Sequence, residues 1–279
     1  MRKLTDWLHE NRIVNLAILC LYFFLVVLPH EIVGRFIMND LLADLSRPVL
    51  NSTVLTISLV AFSTFLFFLF RNLVRGDQKR TKLIYLFITL GLIALVYKTL
   101  FVVATESAHF PQYALMAILL FPLTMNYNVT LFWATLLGTV DEAYQYFYLS
   151  PIATGYFDFN DVITDLLGAV LGLLLLWTLG IKRKVTTAPW YQRSTFLMGI
   201  GILLLGGVLI LLGIISLYPY EDGSNAIITL MRKVPKSFWS YDKVGDLYFH
   251  VVHPIEGILI ISILLGIYTF LGKRDKQIH

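Results

Sequence analysis

The stretch DFNDVITDLLGAVLGLLLLWTLG, residues 158–180, decides the fold. Its apolar part is close to the roughly 20 helical residues that a bilayer core requires. The acids sit at one end: Asp158, Asp161 and Asp165 stand at i, i+3 and i+7, inside roughly a 60° arc of an ideal helix. Gly168 and Gly172 continue the same stripe inward. An ionisable group within a span costs roughly 2.5–3.5 kcal/mol on insertion scales, so these acids are expected to face protein and to mark function. The small-xxx-small pattern beneath them predicts that another helix approaches closely.

The rest of the chain has the same character. With 57% hydrophobic and 14% charged residues, it departs far from soluble domains, where about 25% of residues are charged. Its mean hydropathy is +0.74. Apolar runs predict an all-α, polytopic transmembrane helix bundle of about eight spans, near 13–29, 53–71, 83–104, 109–125, 127–147, 161–180, 197–217 and 248–271. The first run ends in Pro29-His30-Glu31 rather than small residues, so it reads as a retained helix and not a cleaved signal. Cys20 is the single cysteine, which excludes a disulfide framework or thiolate metal site.

Loop charges orient the bundle. Arg2, Lys3 and Arg12, the cluster Arg71 to Lys82, the cluster Lys182 to Lys184, and Lys273, Arg274 and Lys276 all fall on one side if the eight spans alternate. That side is then cytoplasmic and both termini lie inside. The net charge of +4 is absorbed by this topology, so no nucleic-acid partner is expected. Residues 30–52 read as an interfacial helix, with Ile32, Val33, Phe36, Ile37, Leu41, Leu42 and Leu45 at helical spacing. Residues 218–247, with Trp239 and Tyr241, read as a segment at the headgroup level. No internal repeat or linker appears, so 1–279 is read as one membrane domain.

The outer ends of the spans collect the titratable groups. His30, Glu31, Glu106, His109, Asp141, Glu142, His250, His253 and Glu256 join the three aspartates there. The candidate ligand-binding set is His109, Gln112, Tyr113, Glu142, Gln145, Asp158, Asp161, Asp165, His253 and Glu256. His109 and Tyr113 share a face at i, i+4, and Glu142 and Gln145 do so at i, i+3. Within this set His109, Glu142, Asp161 and His253 are an oxygen/nitrogen group suited to a divalent metal. Structural roles compete with these. Asp158 and His253 suit helix caps, and Tyr144, Tyr146 and His250 suit interfacial anchors. Glu142, Asp161 and Asp165 would serve structure if they hydrogen-bond across helices or pair with Lys98.

Two stretches resemble the VanZ-like family of bacterial membrane proteins. His109-Phe110-Pro111-Gln112-Tyr113 is similar to the family's H-F-x-x-Y. Glu142-Ala143-Tyr144-Gln145-Tyr146-Phe147, then Asp158 to Asp161, then Asp165 to Gly172, are similar to its E-x-x-Q-x-F followed by D-x-x-x-N-x-x-G-A-x-x-G. The resemblance covers a core of about 83–180, with flanking helices at about 13–71 and 197–271 outside it. Thr105-Glu106 stand where the family shows an Asp-Lys pair, Gly155 stands where it shows an arginine, and Asp165 replaces its asparagine. The site here is therefore more acidic. The resemblance implies a bacterial cytoplasmic (inner) membrane protein of the cell envelope, in a family named for a protein linked to teicoplanin resistance.

Three functions compete. The first is an acidic and histidine-containing pocket, open to the outer leaflet, that binds an envelope component, a lipid-linked ligand or a glycopeptide antibiotic. The second is a membrane-embedded hydrolase or transferase acting on a lipid-linked substrate through carboxylate and histidine, with or without a metal. Against it, there is no H-E-x-x-H, no G-x-S-x-G and no Gly-rich phosphate loop. The third is a carrier, for which only Pro111 and Pro122 in the fourth span speak.

Overall fold

The computed structural model describes residues 1–36, 47–75, 78–149, 155–181, 194–242, 247–269 and 271. The chain is mostly helical. Each apolar run carries a helix: α1 (Arg2–Glu10), α2 (Arg12–Tyr22, continued by a wide turn at Phe23–Val27), α3 (His30–Phe36), α4 (Arg47–Arg75), α5 (Lys79–Thr99), α6 (His109–Thr124), α7 (Tyr127–Tyr144, continued by a wide turn at Gln145–Leu149), α8 (Phe159–Thr178), α9 (Ser194–Leu211) and α10 (Pro254–Tyr268). Among the described residues, five helical stretches are long and apolar enough to cross a membrane: Arg12–Gly34, Ser52–Leu73, Lys79–Thr99, Phe159–Thr178 and Ser194–Leu211. Among the remaining runs, α6 has 16 residues and α10 has 15. Residues 37–46 and the basic clusters at 182–184 and 273–276 lie outside the described residues, and with them Ile37, Leu41, Leu42 and Leu45 of the expected interfacial helix.

Helix α8 is the axis of the bundle. It packs against α6 most extensively, then against α7, α5 and α10, and is buried on nearly every face. Such a helix must be apolar all round, as its sequence is below Asp165. Glycine explains the closeness of α6. A methyl group at Gly168 would lie 2.8 Å from the Phe110 carbonyl oxygen and 3.0 Å from that of His109, and one at Gly172 would collide with the Ala114 carbonyl. The peripheral helices are the opposite case: α9 has no buried residue, and Leu203, Leu204 and Leu205 stand open. In water such a surface would be an aggregation liability, and in a bilayer it is the expected lipid face.

A tight hairpin joins α6 to α7. Met125 takes a left-handed conformation (φ 48°) that ends α6. Asn126 then caps α7, its side-chain oxygen accepting from the backbone N–H of Asn128 (3.1 Å) and Val129 (3.4 Å). Near this hairpin His9 donates to the Pro122 carbonyl (2.7 Å), Tyr127 to that of Ile181 (2.6 Å) and Asn128 to that of Thr269 (2.7 Å). The far ends of α6, α8 and α10 therefore gather at this hairpin, with α1 against α6.

The opposite end is closed by residues 212–242 and 247–252. Gly213 (φ 70°) follows α9. The chain then forms two small strand pairs, β1 (Ile215–Ser216) parallel to β2 (Ile228–Thr229) and β3 (Ser240–Asp242) antiparallel to β4 (Leu247–Phe249). The sequence suggests only an interfacial segment there, because two- and three-residue strands are too short for a periodic signal. Tyr146 donates to the Thr229 carbonyl (2.6 Å) and Phe157 N–H to that of Leu230 (2.7 Å), fixing this cap over the ends of α7 and α8.

Candidate functional site

At the capped end, four segments bring titratable side chains together. Close packing on Gly168 and Gly172 lays the first turns of α6 against α8. His109 thereby meets Asp165, its Nδ1–H donating to Asp165 Oδ1 at 2.8 Å, while its Nε2 stands 3.8 Å from Asp161 Oδ2. One turn on, the Tyr113 hydroxyl donates to Asp141 Oδ2 of α7 at 3.2 Å. Gln145 donates to Glu142 Oε1 at 2.8 Å. His30 comes from the α2–α3 junction. It donates to the Val27 carbonyl (2.6 Å), lies 3.6 Å from Asp141 Oδ2, and meets the His109 ring edge to face at 5.0 Å.

The inner part of this cluster is dry. Asp141 and Asp165 are fully buried and Glu142 is 2% exposed. One carboxylate oxygen from each of these three lies within 4.8 Å of the others. Asp141 Oδ1 and Asp165 Oδ2 are buried without a hydrogen-bond partner. Gly138 makes room for the latter, since a methyl group there would sit 2.8 Å from Asp165 Oδ2. Among the described residues, the basic groups in contact with these acids are the imidazoles of His30 and His109. Lys98 is exposed on α5 and forms no ion pair with them.

Further acids stand next to this inner cluster. The Asp161 side chain is 19% exposed. Asp158 caps α8, accepting from Asn160 N–H (3.0 Å) and Asp161 N–H (3.4 Å), so its capping role is present in the fold. Glu106, on the turn Ala104–Ala108 before α6, accepts from the N–H of Val102 (3.0 Å) and Val103 (3.3 Å). Burial and then the Asp161 charge push Glu106 up to about 9, against the pull of the Val102 N–H. The same two causes push Asp158 up to about 8.

Both shifts set a sign for stability. Between the ordinary carboxylate range and pH 8–9 the folded protein holds protons that the unfolded chain has released, so its stability is full at low pH and falls as pH rises through that window. The melting temperature in detergent is expected to be lower at pH 9 than at pH 5 by a few degrees, on the scale of about 2–4 °C per kcal/mol. Glu106→Gln should flatten the profile. A melting temperature constant between pH 5 and 9 would contradict the assignment.

The other expected residues fall into a second group. His253 precedes α10 and contacts Tyr218 (3.1 Å), while Glu256 Oε2 takes the His253 N–H (2.9 Å) and His250 Nε2 (3.0 Å). The described contacts therefore place His109, Tyr113, Glu142, Asp161 and Asp165 in one cluster and His253 with Glu256 in another. Gln112 is engaged through its backbone carbonyl, which accepts from Tyr22 (2.8 Å).

Sequence reasoning passed over Asp141 and His30 as site members, and over Asn160 altogether. Asp141 was legible in principle, because it lies three residues after Gly138 on a helix that already carried Glu142. His30 had no such signal, since its place depends on where the α2–α3 junction lands. No family model, curated protein or solved structure matches the chain.

Proposed function

We propose that this chain is an eight-span protein of the bacterial cytoplasmic membrane, with both termini inside, whose acidic site opens to the outer leaflet and binds a cationic group of an envelope ligand. The observation that carries the reading is the surplus of buried carboxylate. Among the described residues, Asp141, Glu142 and Asp165 share one dry space with no Lys or Arg in contact, and two of their oxygens have no partner. Buried charges of this kind are costly unless paired, and in a membrane protein they mark a functional site by default. The orientation rests on the basic loops. It puts the hairpin end of the bundle inside and the capped, acidic end outside.

The VanZ-like resemblance supports an envelope role and suggests a cationic glycopeptide as the ligand to try first. Titration of the purified protein with such a glycopeptide should show binding that weakens about tenfold or more, 1.4 kcal/mol, in Asp161→Asn. Expression should lower susceptibility of the host to the same compound. Absence of binding together with unchanged susceptibility would remove the glycopeptide reading.

A second reading, a hydrolase or transferase acting on a lipid-linked substrate, is favoured by one feature. Asp165 holds His109 in a fixed orientation at 2.8 Å, as a carboxylate holds a general base. Turnover of a lipid-linked pyrophosphate that is lost in His109→Ala would select it.

A further inference from the structure

We propose that Asp141, Glu142 and Asp165 form a binding site for one hard divalent cation of the Mg²⁺, Mn²⁺ or Ca²⁺ class. The proposal rests on reading the acidic cluster as a ligand site, and it names the ligand of its innermost part. Oxygens bound to a common ion at about 2.0–2.6 Å stand no more than about 5 Å apart, and the three carboxylates meet that limit at 4.8 Å. Carboxylate without thiolate or converging imidazole selects hard ions.

The orientation of each carboxylate is the stronger argument. Asp165 has Oδ1 taken by His109 and Oδ2 unpartnered, and Asp141 has Oδ2 taken by Tyr113 and Oδ1 unpartnered. Glu142 is held by Gln145. Each acid is thus turned by one protein donor, which leaves another oxygen for an ion. This is how supporting hydrogen bonds orient metal ligands. Asp141 and Asp165 each keep one buried oxygen beyond the hydrogen bond they make across helices. Gly138 lets Asp165 Oδ2 lie close against α7, where a methyl group would sit 2.8 Å from it. The three carboxylates come from the end of α7 and the second turn of α8, so an ion would tie these two helices together.

The test uses the full chain in detergent, stripped with a chelator and titrated with Mn²⁺ alone. Calorimetry and the Mn²⁺ resonance signal should report one ion per chain, with Mg²⁺ or Ca²⁺ competing. Asp141→Asn and Glu142→Gln should abolish binding. Tyr113→Phe should weaken it about tenfold, and Asp6→Asn, at an exposed position on α1, should leave it within a few-fold. Mn²⁺ should also raise the melting temperature of the wild type and not that of Asp141→Asn. If one variant fails to fold, the other carries the comparison. No Mn²⁺ bound to folded wild type, or equal binding by the variants, overturns the proposal. Glycopeptide titration of the same sample separates the two claims: carboxylate-dependent glycopeptide binding without Mn²⁺ leaves the ligand site standing and removes the ion.

Discussion

Replacing Gly172 with leucine is expected to abolish folding, and replacing it with alanine to cost at least the 1–3 kcal/mol typical of overpacked cores. The cause is backbone against backbone. A methyl group at Gly172 meets the carbonyl oxygen of Ala114 inside van der Waals contact, with the carbonyl carbon and Cα at 2.9 Å. No side-chain rotation relieves that, so α6 must move off α8. The same movement would part His109 from Asp165, since both belong to this helix pair. Gly201 on α9 offers the control, because nothing lies within 4 Å of a methyl group there. Gly201→Ala should leave the melting temperature unchanged or slightly higher, helix propensity favouring alanine over glycine by about 1 kcal/mol. Melting curves and monodisperse yield of the three variants check this. A folded, stable Gly172→Leu protein would mean that α6 and α8 do not pack as described.

Asn160→Leu is expected to produce the next largest loss, on the order of 3 kcal/mol or more. The Asn160 amide donates to the carbonyls of Leu100 (3.1 Å) and His250 (2.8 Å) and accepts from Val252 N–H (3.0 Å). One side chain thereby joins the end of α5, the start of α8 and the approach to α10. Leucine keeps the branching of the side chain but carries bulkier methyl groups, so the loss combines missing hydrogen bonds with crowding. Three buried backbone groups lose their partner, at about 1–3 kcal/mol each. Asn160→Asp should not rescue, because it keeps one acceptor and sets a carboxylate against two carbonyls. A melting temperature within about 2 °C of wild type, roughly 1 kcal/mol or less, would show that the network contributes nothing.

The glycine stripe illustrates what was legible beforehand. Gly168 and Gly172 lie at fixed helical offsets from Asp165, and helical geometry alone puts them on one face. The close partner that they demand proved to be α6, and the aspartate above them turned inward to His109. Local signals of this kind, period 3.6 and a capping Asp158, survive because they depend on one helix. The hairpin at Met125-Asn126-Tyr127 is nearly as local, and Asn126 announces the start of α7.

What stayed hidden is set by the docking of distant segments. His30 and His109 are far apart in the chain, and their ring contact depends on α2, its wide turn and α3 together. His253 and His109 both stand at the start of apolar runs, and so looked equivalent. The strands between α9 and α10 instead hold His253 against Tyr218. Asn160, which nothing in the sequence singled out, is the fastener of three elements. No residue type signals that role before the ends of the helices are placed.

The account turns on the claim that the inner carboxylates are kept for a ligand and do not hold the fold together. Asp141→Asn measures this most directly, because asparagine still accepts the Tyr113 hydrogen bond while removing a buried charge. With chelator present and no divalent ion, the variant should melt at the wild-type temperature or above it, because a buried carboxylate with an unpartnered oxygen costs the fold. A melting temperature lowered by about 3 °C or more, roughly 1 kcal/mol, would show that Asp141 serves the fold, and would contradict the account.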